Sequence, residues 1–176
     1  DEVLGMDNRP ANEVGAAMWN FAYGYASLKE NDTATAKAMR DNILEFASTT
    51  DKRFRFHPAS QVVGTVAHLL EGEILVAEGD LDGAIAAFER AAGVEDSMDY
   101  DEPEPLPFAA RHWLGAALME AGRFSEAEEK YRLELEDHPH DVWSLHGLRA
   151  ALAAQDKVDA TVEEDFSTST ARTDTW

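Results

Sequence analysis

Between Phe108 and Pro139 the chain reads FAARHWLGAALMEAGRFSEAEEKYRLELEDHP, and the placing of its small and large residues leaves few folds open. Leu114 and Gly115 are followed by Leu118, then by Gly122, Ala127, Tyr131 and Pro139. Apolar residues at every third or fourth position predict two amphipathic helices. Gly122 between them predicts a turn, because glycine enters the left-handed region without steric cost. Gly115 and Ala127 lack bulk, so the two helices can approach closely while Leu114, Leu118, Phe124 and Tyr131 fill the space around them. Ser125 and Glu128 have capping-box spacing for the second helix, and Pro139 ends it.

The same pattern stands 43 residues earlier, where Gly72, Leu75, Gly79, Ala84, Phe88 and Ala91 mark a second copy over residues 60–92. A 34-residue period plus nine inserted residues accounts for that displacement. The insert lies in Glu95–Pro107, EDSMDYDEPEPLP, whose six carboxylates and three prolines predict a stiff acidic connector. Those carboxylates lack calcium-loop spacing. Weaker copies flank the pair. Over 13–47, Met18, Trp19, Phe21, Tyr23, Tyr25 and Leu28 crowd around Gly24, and Ala36, Met39, Ile43, Leu44 and Phe46 follow. Arg40 stands there where an aromatic is expected. Over 141–173, Asp141 is placed to cap a helix from Val142 to Ala154. A last helix from Lys157 to about Thr173 carries Val158, Val162 and Phe166 on one stripe, and Arg149 occupies the place equivalent to Gly115. Between the first two copies, STTDKRFRFHP (48–58) breaks the helical period, and its phenylalanines, Phe54 and Phe56, are expected to tuck under the helices.

This spacing resembles the tetratricopeptide repeat over roughly residues 13–173, most closely in 60–92 and 108–139. Tyr100-Asp101-Glu102-Pro103, Leu114-Gly115-Ala116-Ala117-Leu118 and Trp143-Ser144-Leu145-His146-Gly147-Leu148 are similar to the C-terminal part of longer bacterial tetratricopeptide proteins. The resemblance implies an all-α fold: a single repeat domain over 1–176, coiled as an α-α superhelix (right-handed solenoid) of three to four helix pairs. It also implies a concave groove, lined by the first helix of each pair, that takes an extended peptide or a partner helix. Carried over position by position, the groove is lined by Met18, Phe21, Tyr25 and Leu28, by Leu69, Glu73 and Val76, by His112, Trp113, Ala116 and Met119, and by Trp143 and His146. Repeats that clamp a carboxylate use Lys, Arg and Asn where Leu69, Glu73, His112 and Ala116 stand, so no such clamp is expected.

Charge narrows the partner. Fifteen Lys and Arg against thirty-five Asp and Glu leave a net charge of −20, which disfavours nucleic acid and anionic membrane surfaces. Only five of the cations are lysines, a balance that equally suits a salt-rich habitat. There are no cysteines, hence no disulfides and no thiolate ligands, and the compartment stays open between cytoplasm and periplasm. A start at Asp1 without an initiator Met fits a piece of a longer chain. No nucleophile elbow or phosphate-cradling loop is present, so the expected role is non-enzymatic protein–protein interaction without a cofactor. The competing reading is a metal- or ligand-binding segment of a larger enzyme or sensor built on His112, His146 and Glu73; two histidines fall short of a closed zinc site, and no metal site is assigned. Seams left open at the ends of a repeat stack offer a route to a homodimer.

Overall fold

A computed structural model describes residues 2–6 and 8–171; the expected end of the last helix at Arg172 and Thr173 lies outside them. The described chain is mostly helical: α1 (Glu13–Lys29), α2 (Thr33–Thr49), α3 (Ala59–Glu78), α4 (Leu81–Glu95), α5 (Ala110–Glu120), α6 (Phe124–Asp137), α7 (Val142–Ala153) and α8 (Ala160–Thr170). A two-stranded antiparallel hairpin, β1 (Arg53–Phe54) and β2 (His57–Pro58), separates α2 from α3. Among the described residues no helix is long and apolar enough to cross a membrane.

The helix starts follow from short acidic and amide side chains that satisfy otherwise unpaired N–H groups. Asn12 accepts from the Gly15 N–H, Asp32 from Thr35, Asp80 from Gly83, Asp141 from Ser144, and Asp159 from Thr161 and Val162. The capping box expected at Ser125 does not form. α6 begins one residue earlier, at Phe124, with no side-chain cap, and Glu126 instead pairs with Arg123. α8 likewise starts at Ala160 rather than Lys157, which leaves Val158 89% exposed and off the apolar stripe.

The helix ends repeat more strictly than the sequence suggests. α1, α3, α5 and α7 each run into one residue with positive φ: Asn31 (64°), Gly79 (81°), Gly122 (72°) and Asp156 (56°). At every one of these turns the next N–H returns to a carbonyl five residues back, Asp32 to Ser27, Asp80 to Leu75, Arg123 to Leu118 and Lys157 to Leu152, each at 2.9 Å. This is the Schellman closure, four times over. The residue seven places before each left-handed position is Gly24, Gly72, Gly115 and Arg149. A Cβ on Gly72 would lie 2.2 Å from the Phe88 ring, and one on Gly115 would lie 2.3 Å from the Tyr131 ring. These glycines are therefore where the ring of the second helix presses against the backbone of the first. At Gly24 the neighbours are Met39 and Leu70, so Met39, and not the expected position 40, supplies the bulk. At the fourth site the arrangement changes: the Arg149 guanidinium lies 4.2 Å over the Phe166 ring and its Nε donates to Glu163 at 2.8 Å.

The chain divides into two compact units, residues 1–110 and 111–176. In the first, α1, α2 and α3 pack around Ala17, Leu28, Ala36, Ile43, Val63, Val66, Leu70 and Ile74, and α4 pairs with α3. Phe54 joins this core from β1, whereas Phe56, expected to tuck in, stands 64% exposed at the hairpin turn. The acidic insert is not a free connector. Leu106 is buried in the core, and Arg55 donates to Asp101 Oδ1 (2.8 Å) and to the carbonyls of Glu102 and Pro103. His57, fully buried, faces Asp101 Oδ2 at 3.3 Å, and Gln61 holds Ser97. In the second unit α6 packs on α7 and α7 on α8, with Leu145, Leu148, Ala151, Leu152 and Val162 buried.

Candidate functional site

In the first unit, Phe21 and Tyr25 lie on successive turns of α1, partly buried, with ring centroids 6.0 Å apart. Phe108 stands 6.1 Å from Phe21. Lys29 bridges to α3: its Nζ donates to Glu73 Oε2 at 3.1 Å and lies 4.7 Å over the Tyr25 ring. Glu73 is thus engaged by Lys29. Leu69, expected on the accessible face, is fully buried and belongs to the interior; Leu28 is buried as well. A repeat position gives the side of a helix, and α3 is covered on more sides than the outer helices.

In the second unit the site residues sit on α5 and α7. The buried stripe Ser144, Leu145, Leu148 and Leu152 turns the opposite face of α7 outward, so that Trp143 is 73% exposed and His146 exposed one turn on. The His146 ring stands 6.2 Å from Phe166 of α8. Trp113 and Met119 on α5 are partly buried. His112 is held by α7 rather than by His146: its Nε2 lies 2.8 Å from Asp141 Oδ2 and 3.1 Å from Ser144 Oγ. Asp141 accepts from the Ser144 N–H at 2.7 Å in the same place, so one carboxylate both starts α7 and ties it to α5. The cap was legible in the sequence; the histidine it holds was not.

A serine, a histidine and an aspartate in contact invite a nucleophilic reading, which the geometry does not support. A relay uses the two ring nitrogens for the two partners, one accepting from serine and the other donating to aspartate. Here both partners face the same Nε2, and Ser144 is fully buried. An Nε2–H that donates to Asp141 cannot accept the serine proton. Nor do the described residues contain a group of three or more His, Cys, Asp or Glu placed to hold a metal ion.

The same cluster makes a pH prediction. Burial opposes ionisation of Asp141, but the hydrogen bonds from His112 and Ser144 outweigh it and draw the carboxyl from 3.8 down to about 2. A group depressed in the folded state stabilises above its unfolded pKa, and that stability is lost as pH falls from 3.8 through about 2. Asp141→Asn is therefore expected to cost about 2 kcal/mol near neutrality and little at the acid end. Denaturant unfolding across that window checks it, and parallel curves for parent and variant would contradict it.

Sequence reading also missed a buried ion pair in this unit. Arg111 of α5 donates to Glu134 Oε2 of α6 at 3.3 Å, and His138 Nδ1 lies 2.6 Å from Glu134 Oε1. Both Arg111 and Glu134 are buried. On a helical wheel each reads as a solvated charge, and only the pairing across helices explains their place. Comparison with protein-family models, with curated proteins and with solved structures finds no match to this chain.

Proposed function

We propose that this protein is a non-enzymatic scaffold of tetratricopeptide type, a right-handed stack of helix pairs whose first helices present a surface for a peptide or partner helix. The repeat reading is supported by the four Schellman closures at the ends of α1, α3, α5 and α7 and by the glycines seven residues before three of them. The binding reading rests on one observation: Trp143, a large apolar side chain, is 73% exposed on α7 beside exposed His146. Exposed aromatics of this kind bury much area on binding at little entropic cost. A histidine one turn away adds a hydrogen-bonding group.

The test is selection of peptides from a random display library on the intact chain, followed by affinity measurements with Trp143→Ala and His146→Ala. Trp143→Ala is expected to weaken the selected peptides by about thirtyfold, the scale of a hot-spot residue, with helicity unchanged because the ring is exposed. Peptides that bind the variant as tightly as the parent, or no enrichment at all, would count against a binding role for this face.

A further inference from the structure

In the first unit a cleft of about 460 Å3 opens between the lead-in segment 9–11 and the flanks of α1 and α2. Ala16, Ala17, Pro10 and Phe46 give it apolar walls, and Arg9, Glu13, Asn20 and Asn42 give it polar groups. Asn20 is 3% exposed, yet its carboxamide has no hydrogen-bond partner among the described residues. Its accessible surface lies at the cleft wall, so the carboxamide offers to a ligand seated there a donor and an acceptor that no side chain among the described residues occupies.

Arg9 points the same way. In a chain with thirty-five carboxylates, its guanidinium makes no ion pair among the described residues and lies 5.9 Å from the Trp19 ring. Glu13 across the cleft is shared with Lys52 at 3.4 Å. A single guanidinium that makes no ion pair among the described residues, beside a carboxylate, favours a monoanion over a phosphate dianion.

We propose that the cleft binds a small carboxylate of the N-acylamino acid class. The ligand carboxylate pairs with the Arg9 fork, its amide offers one donor and one acceptor to the Asn20 carboxamide, and its apolar part lies against Phe46 and Ala17. The volume falls within the range of small-ligand sites. This site uses none of the Trp143 face, and its failure leaves the peptide-binding reading untouched.

The experiment is an NMR titration of the isotope-labelled chain with N-acetyl-L-leucine and, separately, neutral N-acetyl-L-leucinamide, following the side-chain amides of Asn20 and Asn42. The carboxylate is expected to shift both signals and to bind about tenfold tighter than the neutral amide, with Arg9→Gln removing that difference. Asn20→Leu, which fills the space, and Asn20→Ala, which leaves it open, are both expected to abolish binding with helicity unchanged. Unmoved amide signals at the solubility limit of the ligand, equal affinity for both compounds, or binding retained in Asn20→Leu would each overturn the proposal.

Discussion

Tyr131→Ala is expected to destabilise the second unit by about 4 kcal/mol, the range for losing a large buried aromatic. The ring serves two helices at once. A Cβ on Gly115 of α5 would lie 2.3 Å from it, and a Cβ on Gly147 of α7 would lie 2.2 Å from it. A ring held between two backbones has no rotamer into which to retreat, so Gly147→Ala should cost about 2 kcal/mol by overpacking although alanine is the better helix former. In the Tyr131→Ala background the clash is gone, and the same change should become stabilising by about 1 kcal/mol. Chemical denaturation of the four proteins closes the cycle. If Gly147→Ala is neutral in the parent, the ring is not wedged as described. Burial also pushes the Tyr131 phenol up to about 12. The raised value means that its contribution is complete below the ordinary pKa near 10 and declines as pH rises through about 12.

Arg111→Met is the second large effect, with an expected cost of about 4 kcal/mol. Glu134 would then be a buried carboxylate left with His138 alone. Removing both charges is a different matter, since an apolar pair of similar volume avoids the desolvation that the ion pair must overcome. The double variant Arg111→Met, Glu134→Met is expected to recover at least half of the loss. Thermal and denaturant unfolding distinguish the cases, and a double variant no more stable than the single would show that the two residues do not act as a pair.

The helix count and most helix boundaries were legible because the apolar period, the capping Asp and Asn residues and the two turn glycines are local signals. Gly72 with Phe88 and Gly115 with Tyr131 share a spacing of sixteen residues, and the structure shows each ring against its glycine. Asp156 escaped notice because a left-handed turn is ordinarily read from glycine, and Met39, though counted among the apolar residues of α2, was not placed against Gly24 because an aromatic was sought one residue on. Pairings across long separations were out of reach. Arg55 meets Asp101 at a distance of 46 residues, so the acidic insert reads as a linker until the hairpin that holds it is seen. The accessible side of α7 with Trp143 and His146 was expected from the repeat resemblance carried over by position, and the same carry-over misplaced Leu69, whose burial depends on what covers α3, which its own helix does not encode.

Because Tyr131 lies between Gly115 and Gly147, a single side chain belongs to two successive hairpins. Neither hairpin can reach its final packing while the other is absent, so their formation is coupled in the manner of neighbouring spins in a one-dimensional chain. A chain cut after Pro139 would lose α7 and α8 and, with them, one wall of the ring's enclosure. What remains should melt less cooperatively than a shortened copy of the parent, which sets the smallest piece of this half of the molecule that can behave as a folding unit.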